Sequence, residues 1–360
     1  MNKSTWLFSK KSDLFILFLP VWLIWAWAFL GDFEGKNLPI WGWVVFILIL
    51  DVGHVWSTLF RSYFNKSDKI LHRKKLIWIP VITFTTLFTV SLISLRLFWG
   101  AMAYLAVYHF MKQQYGFMML YYMKEKVKPK KWLKDKWVLY IGMIYPVVFW
   151  HLDSSRSFQW FVEGDFISLP ADFVFTNYTI LNVLYFSVLI SWIFQEIYIY
   201  KKAKAQPSWG KVLWIITTYL NWYIGIVFFN SDYIFSVTNV VAHGIPYLAL
   251  VLNYKLKENQ TDEPSIAKSE LYFQLGIMLL AVFMLAFFEE YLWDVLINRE
   301  KQVVFEKFLP YFSTISKNHY ILSAFTALLS LPQVVHYILD GYIWKFNKEN
   351  PKLKTIILSE

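Results

Sequence analysis

Apolar residues in this chain run in long unbroken blocks, and alternation at period two, the mark of a membrane β-barrel, is absent. A spanning helix needs roughly 20 mostly apolar residues. Ten blocks meet or approach that length: 14–30, 38–60, 76–95, 97–122, 137–152, 173–195, 212–229, 233–254, 271–288 and 320–344. The second contains Asp51 and the fourth Lys112. There is no internal repeat and no low-complexity tract. The pattern predicts an all-α integral membrane protein: one transmembrane domain over 1–360, a polytopic bundle of about ten helices.

Charge sets the orientation. With the N-terminus cytosolic, the cytosolic segments carry 27 of the 35 Lys and Arg residues and the opposite side 7, with Lys112 inside a span. One missed helix would invert every later loop, so this asymmetry supports ten spans with both termini cytosolic. Lys10, Lys11, the apolar run and Ala26-Trp27-Ala28 share the outline of a cleavable signal peptide, but Trp27 is a poor residue in such a site. The two longer outer loops are 153–172, with Trp160 and Pro170, and 289–319, with Glu289, Glu290 and Asp294. The second suits an interfacial amphipathic helix.

Composition narrows the function. Of the 360 residues, 57% are hydrophobic and only 17% charged. A water-exposed surface uses about 25% charged residues, which excludes a soluble enzyme, a disordered chain and a collagenous one. There are no cysteines, so disulfides, thiolate metal sites and iron–sulfur clusters are excluded. The net charge of +10 reflects basic loops facing cytosol and anionic lipid, and does not call for nucleic acid. The basic loop 124–136 suits anionic lipid or a docking redox partner.

Ionisable groups inside spans cost roughly 2.5–3.5 kcal/mol each and require a reason. His72, His151 and His319 fall in loops or at span ends and read as solvated or interfacial, as does Glu196. His54, His109, His243 and His336 lie inside the second, fourth, eighth and tenth spans, all running from outside to inside. Counting to the first cytosolic Lys or Arg places them at roughly 10, 22, 18 and 13 Å depth, compatible with one layer. Each has a polar companion about one turn away: Asp51 before His54, Gln113 after His109, Asn239 before His243, and Gln333 and Asp340 flanking His336. A single intramembrane histidine is ordinarily a helix–helix hydrogen bond. Four at similar depth, each with a carboxylate or amide beside it, point to ligands with orienting partners.

Neutral imidazole and carboxylate suit iron, zinc, copper or manganese. The expected metal ligands are His54, His109, His243 and His336, with Asp51 and Asp340 as further ligands or ring-orienting groups. Gln113, Asn239 and Gln333 stand behind them. The set could hold one or two ions, and iron is favoured for oxygen chemistry on an apolar substrate. Lys112, Tyr108, Tyr115 and Tyr337 are the expected substrate, proton or radical partners. The histidine boxes of membrane desaturases, the His-Glu-x-x-His of membrane zinc proteases, Walker motifs and Gly-x-Ser-x-Gly are all absent.

The spread of single histidines over several membrane helices resembles the membrane carotene-cleaving oxygenases associated with bacteriorhodopsin, whose iron is held by four His. The resemblance implies oxidative chemistry on a lipid, isoprenoid or carotenoid entering from the bilayer. Two other classes use the same residues: a proton- or ion-coupled transporter with a His/Asp/Lys relay, and a bis-His haem electron carrier.

Overall fold

The structure is a computed structural model, described here except at residues 1–4, 34–35, 37, 126–127, 154, 157–158, 168, 170–177, 263–264, 309–317 and 359–360. Among the described residues it is all-helical, without strands. Ten long helices occupy the ten expected blocks: α1 Lys10–Leu30, α2 Ile40–Arg61, α3 Arg73–Ile93, α4 Leu95–Lys124, α5 Asp135–Leu152, α6 Thr179–Lys202, α7 Trp209–Phe228, α8 Asp232–Asp262, α9 Lys268–Asn298 and α10 His319–Ile343. Eight are long and apolar enough to cross a membrane; α4 and α5 are the other two. Pro170 and the start of the sixth expected span, 173–177, lie outside the described residues, as does 309–317 of the expected interfacial segment. Residues 289–298 of that segment belong to α9 instead of a loop. Glu289, which sequence placed outside, is buried in α9 and accepts the Trp56 indole N–H at 2.6 Å, so its charge does not end the helix.

The chain divides into two compact units, residues 1–38 with 103–246 and residues 39–102 with 247–359. In the first, Asp13 ties down the N-terminus by accepting from Leu7 N at 2.7 Å, Phe8 N at 2.9 Å and the Tyr121 hydroxyl at 2.8 Å. Gly142 lets the Tyr219 ring lie where any Cβ would collide with it. A buried charge cluster closes one end of this unit. Lys211 Nζ contacts Asp135 at 2.7 Å and Glu125 at 2.9 Å, while Lys131 contacts Asp135 at 2.8 Å and Glu196 at 2.6 Å. Trp192 donates to Asp135 at 2.9 Å, and the Tyr200 hydroxyl donates to Glu125. Glu196 is therefore buried in an ion pair and not solvated, because Lys131 folds back onto α6.

In the second unit, buried Arg61 donates to the Ile343 carbonyl at 2.8 Å and lies 4.2 Å from the Tyr254 ring centroid. His72 is buried, correcting the solvated reading: Asn350 Oδ1 lies 2.9 Å from its Nε2, and the Asn350 amide donates to the Tyr342 carbonyl at 2.6 Å. His319 is exposed, and in the first unit His151, half-buried, lies 2.7 Å from the Tyr104 hydroxyl.

Three prolines inside helices show how this sequence keeps its buried backbone paired. A proline has no N–H, so the carbonyl four residues earlier loses its in-helix donor. Hydrocarbon cannot replace it. For Pro80 the orphaned carbonyl is Leu76, which accepts from the Tyr63 hydroxyl at 2.7 Å. For Pro146 it is Gly142, whose carbonyl, 3.0 Å from the Tyr185 hydroxyl, shares that one proton with the Tyr219 carbonyl at 2.8 Å. For Pro246 it is Ala242, which accepts from the Gln114 side-chain amide at 3.0 Å. Gln114→Leu should therefore cost about 1–3 kcal/mol, and restoring a helical donor in Gln114→Leu/Pro246→Ala should recover part of it. Thermal unfolding in detergent reads both changes.

The charge cluster predicts a pH dependence. Burial alone would raise the Asp135 carboxyl, but Lys211 and Lys131 outweigh it and hold the acid below its usual 3.8. A folded-state value below the unfolded one contributes stability at neutral pH that is lost as pH falls through the folded value. The melting temperature should drop on acidification below about pH 4, and less steeply in Asp135→Asn. Lys211→Met leaves buried carboxylates short of a cation and should cost about 3–5 kcal/mol at neutral pH.

Candidate metal centre

In the second unit, α2 is wound as a wide π-helix from Trp43 to Val52 and returns to α geometry at Gly53, immediately before His54. Such segments are rare and recur at functional sites. His54 Nδ1 lies 3.1 Å from the Leu50 carbonyl, which can only accept, so Nδ1 carries the proton and Nε2 is the basic nitrogen. His336 sits beside it, the ring centroids 5.0 Å apart at 77°. His336 Nδ1 lies 2.7 Å from the Thr58 hydroxyl. Thr58 lies 2.8 Å from the Tyr247 hydroxyl, which donates to Asp340 Oδ1 at 2.7 Å.

The first unit holds a matching pair. His109 and His243 have ring centroids 5.0 Å apart at 76°. Phe110 stacks on His243 at 3.7 Å and 13°, and Trp160 meets Phe110 edge-on at 5.0 Å. The Gln113 amide donates to the His243 backbone carbonyl at 2.9 Å. Together with Gln114 on Ala242, it fixes α8 where Pro246 weakens the helix.

All four histidines are buried, 1–5% exposed. Metal–nitrogen bonds of 2.0–2.1 Å place two ligand nitrogens about 3.3 Å apart on a tetrahedral ion. The corresponding ring centroids stand about 5 Å apart, against about 6.3 Å for imidazoles bound trans. Both pairs, at 5.0 Å, have the spacing of adjacent ligands on one ion.

The remaining expected site residues sort by position. Asp51 and Asp340 approach the Nδ1 edges of His54 and His336, at 3.8 and 3.6 Å. Asn239 donates to the Phe235 carbonyl at 2.8 Å, within its own helix. Gln333 donates to the Tyr337 hydroxyl at 2.7 Å, and the Tyr337 ring lies 5.7 Å from His336. Tyr108 and Lys112 are exposed, one turn apart on α4; Lys112 lies 5.3 Å from the ring centroid of Tyr115, which stacks on Tyr140.

Thr58, Tyr247 and Phe110 escaped the sequence reading. Thr58 follows His54 by four residues and Tyr247 follows His243 by four. The one-turn rule that found the amides and carboxylates would have found these hydroxyls had they been counted as polar companions. Phe110 carries no signal that separates it from the other aromatics.

Comparison with protein-family models finds no match, and neither the curated proteins nor the solved structures contain one.

Proposed function

We propose that the chain is a multi-pass membrane metalloenzyme in which His54, His109, His243 and His336 hold one transition-metal ion. The supporting observation is two buried imidazole pairs, one in each unit, with the same 5.0 Å ring spacing and near-perpendicular rings. Iron is favoured, because an all-nitrogen, Cys-free site in lipid suits oxygen activation. The substrate class is apolar: a lipid, isoprenoid or carotenoid reaching the site from the bilayer and oxidised by cleavage, hydroxylation or desaturation. An ion held by these histidines would supply oxygen activation. The protein's part is to hold four neutral imidazoles in place, with Asp51 and Asp340 acting from behind the rings. Phe110 fixes the plane of His243. A redox partner would dock on the basic loop 124–136.

Haem is the weaker alternative. Two imidazoles of one pair would need to stand farther apart than 5.0 Å to hold one haem between them.

The reading includes ten spans with both termini cytosolic. The chain lacks cysteine, so single-cysteine variants report sidedness directly. Lys130→Cys and Glu163→Cys flank α5; the first should label only from the cytosolic side and the second only from the opposite side. Labelling of both from one side would remove α5 from the spans.

Elemental analysis and an absorption spectrum of detergent-purified protein test the function. The expected result is one transition-metal ion per chain, no Soret band, and affinity reduced more than about 100-fold in each of the four single His→Ala variants. A colourless preparation that stays empty after anaerobic iron loading would overturn the metalloenzyme and favour a proton-coupled transporter using the same residues.

A further inference from the structure

The contacts behind His336 define a directed hydrogen-bond chain, and counting its protons decides which ring nitrogen is basic. Tyr247 is 1% exposed, and its oxygen meets three partners: Asp340 Oδ1 at 2.7 Å, the Thr58 hydroxyl at 2.8 Å and the Trp344 indole N–H at 3.4 Å. A phenol has one proton to donate and two lone pairs to accept with. The indole N–H can only donate, and the carboxylate oxygen accepts. With Asp340 ionised, Tyr247 spends its proton on it, since the reverse polarity would press two acceptors together at 2.7 Å. The hydroxyl of Thr58 must then donate to Tyr247. That leaves the Thr58 oxygen as an acceptor toward His336 Nδ1, 2.7 Å away.

We infer that Thr58 and Tyr247 are positioning residues: with Asp340 as terminal acceptor they lock His336 as the Nδ1–H tautomer, so that Nε2 is the nitrogen presented to the metal. This inference rests on the metal reading for its purpose, but not for its geometry. Asp340, placed by sequence among the ligands, ends the chain of two hydroxyls and also lies 3.6 Å from His336 Nδ1. His54 reaches the same tautomer by a shorter route, donating to Leu50 of its own helix. Lone imidazoles in water favour the other tautomer, so both rings are held against their intrinsic preference by the protein. Ligating histidines commonly carry such a partner on the second nitrogen, and its loss typically lowers metal affinity 10–100-fold.

The test reads the tautomer and the metal separately. Nitrogen-15 spectra of chelator-treated protein labelled at histidine, with the His336 signal assigned by its disappearance in His336→Asn, report which ring nitrogen is protonated. The wild type should show Nδ1–H at His336. Thr58→Ser, which keeps the hydroxyl, should preserve it. Thr58→Val removes the acceptor, and Tyr247→Phe frees the Thr58 proton to turn toward Nδ1. Both should convert His336 to Nε2–H and weaken Fe(II) binding by about 10–100-fold in competition with a chromophoric chelator. An Nε2–H signal for His336 in the wild type overturns the inference without any variant. So does an unchanged tautomer in folded Thr58→Val and Tyr247→Phe. A wild type that shows the predicted tautomers but binds no Fe(II) would leave the chain standing and defeat the metalloenzyme reading instead.

Discussion

Nothing in the interior of a bilayer can donate or accept a hydrogen bond, and this one constraint accounts for most of what is specific in the structure. An uncompensated polar group there costs several kcal/mol, so each must be matched from within the protein. The orphaned carbonyls upstream of Pro80, Pro146 and Pro246 are matched by Tyr63, Tyr185 and Gln114. The buried ammonium of Lys211 is matched by Glu125 and Asp135. Histidine raises the same problem with two nitrogens per ring. One nitrogen of His54 and one of His336 is matched by a carbonyl and a hydroxyl. A metal ion is the partner we propose for the other.

The two units solve that problem in different ways. Behind His54 and His336 stand hydrogen-bonding groups, ending in a carboxylate. Around His109 and His243 stand an aromatic wall, Phe110 and Trp160, and an amide clamp on the backbone of α8. The first arrangement sets ring chemistry, and the second sets ring position. Substitutions at Thr58 and at Phe110 therefore affect the site differently, one through ligand basicity and the other through geometry.

Much of this was legible along the chain because hydropathy in a membrane is a strong signal. All ten helices fall where apolar blocks predicted, and the four histidines inside those blocks stood out because a polar ring in an apolar run calls for a reason. Helix ends were less legible. α9 continues ten residues past its apolar block because Glu289 finds Trp56. His72 and Glu196 looked solvated because their partners, Asn350 and Lys131, are distant in sequence and no local pattern announces them. The proline-linked bonds were hidden for the same reason. The hydroxyls of Thr58 and Tyr247 were hidden differently: Thr and Tyr are cheap enough in a membrane helix to draw no notice, although both lie one turn from a histidine.

X-ray absorption at the metal edge of the purified protein bears most directly on the central claim. The account predicts a first shell of four imidazole nitrogens at about 2.0–2.1 Å, with the outer-shell scattering of histidine rings and no more than two further light ligands. A shell dominated by carboxylate or water oxygen, or one with fewer than three imidazoles, would contradict it.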